Sequence, residues 1–245
     1  MRWLTGLLLL LAGVAWGAEK DAEEGPQEKD AMAWIAKTQG QVQVLPSEGF
    51  RKEPAEPCRT LVKGDMVLTG EEATAVVAFD EASKVAMDGG TKLEIVDPEE
   101  VRQEGGKAYY RLQEGSTRGR QVRTEFSVIG VKGTEFLVSD TDKANALAMA
   151  EGDVEVAAPE GKFKLYEEKQ AEAFDAYKQR QQEGIEAKRE EFQQYKERVR
   201  REFVEYAESF SLGSGKMATF ADGEATTGKV SEELEKDMQR LRDLL

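Results

Sequence analysis

The chain contains no histidine. That removes the commonest general base and the commonest zinc ligand, so neither a His-based triad nor a His metal site can be built. A single cysteine, Cys58, excludes an internal disulfide and any Cys-rich metal site. Such a lone cysteine is expected to be a small buried apolar residue, although an exposed one in an exported protein would offer a cross-link between two chains. Positive charge is also scarce. Against 48 Asp and Glu there are 34 Lys and Arg, a net charge of -14 over 245 residues. Nucleic acid and anionic membrane surfaces both require a positive field, so neither is an expected partner.

The one strong apolar run lies at the N-terminus. Arg2 supplies a short basic region, Leu7 to Val14 an apolar one, and Ala15-Trp16-Gly17 places small residues at a cleavage site. The run is short for a membrane span and acidic sequence follows it. Residues 1–17 therefore read as an export signal cleaved after Gly17, leaving no stable membrane span and a periplasmic or secreted protein. Residues 18–33 are charged and lack apolar periodicity, the composition of a disordered leader.

Residues 34–162 alternate apolar and polar positions over short runs separated by Gly, Asp, Asn and Pro. Runs at Val42–Val44, Asp65–Thr69, Thr74–Phe79, Lys84–Met87, Lys92–Val96 and Lys107–Gln113 predict strands. Further runs follow at Asn145–Ala150 and Asp153–Ala157. Asp88-Gly89-Gly90 is read as a hairpin turn, and the last two runs as a pair joined across Glu151-Gly152. The spacing of turn signals predicts a β-sandwich or roll. Gln121–Ser139 stands at its centre, with Phe126, Val128, Val131, Phe136 and Val138 on alternate positions and a sharp corner at Gly133.

From 163 to 210 the composition shifts to Glu, Lys, Arg, Gln and Ala without proline, which predicts a long charged α-helix. A stripe through Ile185, Phe192, Tyr195, Val199, Phe203 and Tyr206 keeps the 3.6 period. Its phase passes unchanged through Gly184, favouring one continuous helix of about 65 Å over a hairpin broken there. The face at Phe192, Tyr195, Val199, Phe203 and Tyr206 is the candidate partner contact or homo-oligomer seam. Residues 211–228 return to strand and turn. Residues 229–245 carry Val230, Leu234, Met238, Leu241 and Leu245 on one face of a short helix, with Ser231 as its N-cap.

Leu61-Val62-Lys63-Gly64-Asp65 through Thr69-Gly70 resembles the opening of the FecR domain, an exported sensor module. Arg123-Thr124 with Val131-Lys132-Gly133-Thr134-Glu135-Phe136 resembles that family's most specific signature, and Ala150 to Val156 fits the strands after it. Glu125 stands where the family has proline, and Lys132 where it has arginine, which weakens any role needing a bidentate guanidinium. The resemblance implies that Gly64, Asp65, Thr124, Val131, Lys132, Gly133, Thr134, Phe136 and Gly152 serve mostly the fold. The family's signalling members carry a cytoplasmic segment and a membrane helix before the domain, whereas a signal-like segment precedes it here.

No catalytic site or cofactor is expected. Glu94, Glu135 and Asp153 lie in or beside strands, so a carboxylate pair is conceivable by geometry, but 48 acidic residues supply such pairs by chance. Gly213-Ser214-Gly215-Lys216 fails as a phosphate loop, because Met217 follows the lysine and Phe210 occupies the first glycine position. Asp140-x-Asp142 reads as a turn, lacking the rest of a calcium loop. The leading expectation is a non-enzymatic binding or scaffolding module of the bacterial envelope, contacting an envelope protein or cell-wall component. The alternatives are a component of a transmembrane signalling system and, more remotely, a carboxylate-based hydrolase.

Overall fold

The computed structural model describes residues 31–113, 121–142, 144–167 and 205–245. These residues form two sheets. The larger runs β17 (Glu205–Ala207), β16 (Phe163–Glu167), β20 (Glu224–Lys229), β19 (Lys216–Ala221), β14 (Ala144–Glu151), β13 (Thr134–Thr141), β10 (Gly106–Leu112), β7 (Lys84–Met87), β6 (Thr74–Ala78), β1 (Ala33–Gln39) and β4 (Thr60–Leu61). The smaller runs β18 (Ser209–Gly213), β15 (Asp153–Ala157), β12 (Val128–Val131), β11 (Gln121–Arg123), β9 (Glu100–Glu104), β8 (Lys92–Ile95), β5 (Met66–Thr69), β2 (Val42–Leu45) and β3 (Glu53–Pro54). The chain shuttles between the sheets while advancing along both. Alternate residues from the two inner faces fill one core, including Ile35, Val67, Leu93, Tyr110, Ile129, Phe136 and Leu147. Burial of such side chains, at about 1.5–3 kcal/mol each, is what holds the sheets together.

Two expected pairings are corrected by this shuttling. Asp88–Gly90 carries the chain from β7 in the large sheet to β8 in the small one, so it is a crossover and not a hairpin turn. β14 and β15 likewise lie in different sheets, and β15 pairs with β12 and β18. A turn signal in the sequence specifies a reversal of direction. Whether the next strand pairs with its predecessor depends on which sheet receives it.

The expected long helix is corrected at both ends, because residues 163–167, 205–207 and 209–213 are strands. β16 and β17 are antiparallel neighbours, with Leu165 opposite Glu205. Ladder hydrogen bonding of β16 to β17 and β20 takes up the backbone of 163–167, so these residues do not begin a helix. Phe192, Tyr195, Val199, Phe203 and Gly184 lie outside the described residues, and Tyr206 falls in β17. Phe163, Phe210 and Phe220, with Phe126, instead form a ring cluster between the sheets, the closest pair having centroids 4.9 Å apart. Residues 1–17 and most of the expected leader also lie outside the described residues.

A third layer sits on the outer face of the large sheet. Helix α1 (Glu232–Arg242) starts two residues after β20, and Ser231 caps it by accepting a hydrogen bond from the Leu234 backbone N–H. Its apolar stripe, Leu234, Met238 and Leu241, packs on Val76, Ala86, Tyr109, Leu137, Ala146 and Ala148. The small residues in this floor let the helix approach the strands closely. This layer also explains why β6, β7, β10, β13 and β14 are buried on both faces at their centres. Among the described residues no helix is long and apolar enough to cross a membrane.

Candidate binding site at the motif corner

Gly133 joins β12 in the small sheet to β13 in the large one, with φ 69, in the left-handed region that favours glycine. Beyond the corner, β13 divides its residues between two faces. Phe136 is fully buried on the inner face and stacks on Tyr110, with centroids 4.9 Å apart and planes 9° from parallel. The Tyr110 hydroxyl donates to Gln103 Oε1 at 2.9 Å, tying the two sheets together inside the core, and burial pushes its pKa up. Gly152 crowds the same corner. A Cβ there would stand 2.7 Å from Thr134 Cγ2, at a φ of 79.

The other motif residues are also fixed by structural contacts. Asp65 is buried, and its carboxylate accepts from the backbone N–H groups of Ser47 (2.9 Å) and Val62 (3.1 Å). Gly64 has φ 84 and donates to the Ile95 carbonyl. The Thr124 hydroxyl closes the turn to Ser127. Val131 is in the core and Lys132 is exposed. Thr134 is buried, and its hydroxyl has no hydrogen-bond partner among the described residues. Cys58 departs from expectation. It is exposed, with φ 66, because the turn before β4 takes a left-handed conformation that directs it away from the core.

Glu135 points to the outer face and is the centre of a polar cluster. Its carboxylate accepts from the Tyr109 hydroxyl at 2.6 Å and from Arg111 Nε at 2.9 Å, and pairs with Arg242 of α1 at 3.0 Å. Burial by itself would raise its pKa. The hydrogen bonds from Tyr109 and Arg111, with the charges of Arg111 and Arg242, outweigh that and hold it below the ordinary 4.5. Burial, with the Glu135 contact, pushes the Tyr109 hydroxyl upward. The neighbouring contacts of α1 follow the same scheme: Asp237 pairs with Lys107, Arg240 forks onto Asp88 at 2.9 and 2.5 Å, and Lys37 donates to the Leu244 carbonyl at 3.0 Å. At Asp88 burial is likewise outweighed, by hydrogen bonds from Arg240 and the Gly89 backbone, so its pKa falls below 3.8.

An open cleft of about 390 Å³ lies along the rim of the large sheet beside this cluster, with Glu81, Lys84, Arg111, Gln113, Glu135 and Glu151 among its lining residues. Four of these charges form a row across adjacent strands. Lys84 on β7 stands opposite Arg111 on β10, Arg111 opposite Glu135 on β13, and Glu135 opposite Glu151 on β14. The last pairing depends on a bulge, since Phe136 faces Met149 while Glu135 faces Glu151, leaving Ala150 as the extra residue. Only the central pair is of opposite sign. Like charges directly opposite each other are destabilising, and both outer pairs are of that kind.

The other carboxylates considered from the sequence are not brought to this site. Glu94 is on β8 of the small sheet, bound to Arg102 at 2.9 Å, and Asp153 opens β15 in the same sheet. The Asp140 carboxylate accepts from the Gly105 backbone. Lys84, Arg111 and Glu151 were not singled out from the sequence. Their one signal is a charge at a strand end, in Lys84-Val85-Ala86-Met87 and in Tyr109-Tyr110-Arg111-Leu112, where the neighbouring positions are apolar.

Residues 65–155 match the family model described as FecR protein. This stretch is a FecR domain. It begins at Asp65 and ends in β15, so the FecR domain contains the corner, the cleft and most of the helix-bearing strands. Two crystal structures of a candidate anti-sigma factor from Parabacteroides distasonis are among the solved structures to which the chain is similar. One is 16% identical with a TM-score of 0.46, covering 72% of this chain and 64% of that one. The other is 15% identical with a TM-score of 0.44, covering 69% and 61%. The chain thus spans less than two thirds of the length of either. No curated protein matches.

Proposed function

We propose that this chain is a non-enzymatic sensing component of an envelope signal-transduction system, with its FecR domain as the receiving module. The single observation that carries the reading is the FecR domain over residues 65–155, with its signature corner opening directly onto a charged cleft. The cleft suits binding better than catalysis. Its one deeply engaged carboxylate, Glu135, is held ionised by three partners, and a general acid needs the opposite environment. The signal-like sequence of residues 1–17 supports a place in the envelope, where the proposed contact is an envelope protein or a cell-wall component.

Cross-linking of the full-length protein in its native cells, run beside transcript profiling of a deletion strain, tests this. The expected outcome is capture of an envelope component together with altered expression of a defined set of genes. Capture with unchanged transcripts would return the protein to a scaffolding role. Turnover of peptidoglycan by the purified protein, abolished by one carboxylate substitution, would make it an enzyme.

A further inference from the structure

The charge row on the rim has an arrangement that folding alone does not favour. Its centre is satisfied, because Arg111 Nε donates to Glu135 at 2.9 Å. Its ends are not. Among the described residues Lys84 has no carboxylate partner and Glu151 no cationic one, and each stands opposite a residue of its own sign. The row therefore presents two adjacent cations followed by two adjacent anions across β7, β10, β13 and β14. Strands in a sheet are about 4.8 Å apart, so the midpoint of the cationic pair lies about 10 Å from the midpoint of the anionic pair. The Gln113 side chain extends the cationic end with a neutral donor and acceptor. The Gly133 corner leaves the floor beside the row without a side chain.

We propose that this cleft binds a short peptide with both termini free, lying across the strands, its carboxylate at Lys84 and Arg111 and its ammonium at Glu151. Length favours a tripeptide: three extended residues at about 3.3–3.6 Å each span about 10 Å, and the ion-pair contacts at the two ends cover the rest of the roughly 12 Å from the cationic midpoint to Glu151. A volume of about 390 Å³ lies within the range of small-ligand sites. The carboxylate would offset the Lys84–Arg111 repulsion, and the ammonium would pair with Glu151, whose neighbour Glu135 is already paired with Arg111 and Arg242. A single amino acid is too short to reach both ends. An anion alone would meet three carboxylates, Glu81, Glu135 and Glu151, and a cation alone the two basic groups. The proposal deepens the reading of the FecR domain as a receiving module by naming the class of molecule received.

Calorimetric titration of the full-length protein with Ala-Ala-Ala, N-acetyl-Ala-Ala-Ala and Ala-Ala-Ala-amide tests it. The free tripeptide is expected to bind, and each blocked form to bind at least about tenfold more weakly. Glu151→Gln should abolish discrimination against the acetylated peptide only, and Lys84→Gln discrimination against the amide only. Both residues sit at the surface, and unchanged circular dichroism would confirm that the variants fold. No heat from the free tripeptide up to about 10 mM, or equal binding of blocked and free forms, would overturn the proposal. That failure would leave the cross-linking and transcript result untouched, so the two readings fall separately.

Discussion

Phe136 and Glu135 are adjacent in the chain and belong to different layers. Phe136 faces inward, fully buried against Tyr110, and shares its fate with the whole sandwich core. Glu135 faces outward, where it joins Arg111, Tyr109 and the C-terminal helix at the edge of a cleft. The same division runs along the sheet. Tyr110, Val138 and Met149 build the inner core, while Tyr109, Leu137 and Ala148 seat α1. The inner face is held by non-directional burial, and the rim of the outer face by directional charge contacts. The FecR domain can therefore keep its fold on one set of alternate residues and vary its surface on the other.

Substitutions on the two faces should separate accordingly. Phe136→Ala is expected to cost about 3–5 kcal/mol, through the lost aromatic burial and the cavity left beside Tyr110. Urea denaturation would show it as a global loss. Leu241→Ala, on the fully buried contact of α1, should cost about 2–3 kcal/mol. Hydrogen exchange should report that loss mainly in the helix amides, with the β13 and β10 amides still protected. Equal deprotection of helix and sandwich would break the distinction between the layers.

Glu135→Gln should loosen α1 by about 1 kcal/mol, since it weakens the contacts to Arg111 and Arg242 without making a cavity. Acid should act in the same direction. Glu135 and Asp88 both have folded pKa values below their ordinary 4.5 and 3.8. Their contribution is thus complete above those values and is lost as pH falls through the lower folded ones. The helix amides should exchange faster relative to the core at pH 3 than at pH 7, and salt should mimic part of the effect. Arg242→Ala is the mildest change, below about 1 kcal/mol, because its side chain is 42% exposed. A larger Tm shift for Arg242→Ala than for Leu241→Ala would reverse the ordering of burial over charge.

The short strands, the Gly133 corner and the C-terminal helix were legible in the sequence because each has a local cause. Period-two alternation marks a strand, a left-handed turn draws glycine, and Ser231 before an apolar stripe marks a helix start. The site was only half legible. Gly133, Thr134 and Glu135 stand in one motif, but Lys84, Arg111 and Glu151 come from three other strands and meet them only through register. The helical composition of 163–210 masked Phe163–Glu167 and Glu205–Ala207, where pairing to β20 and to each other overrides propensity.

By itself, the sequence determined the family of the domain, its β-rich class and the chemistry it lacks, because composition, alternation and turn residues act over a few neighbouring positions. The tertiary structure decided which sheet receives each strand, that Glu135 meets Arg242 from the far end of the chain, and that four charges line up across one rim. Those outcomes depend on register and on a one-residue bulge at Ala150, and contacts between residues distant in the chain leave no local signature to read.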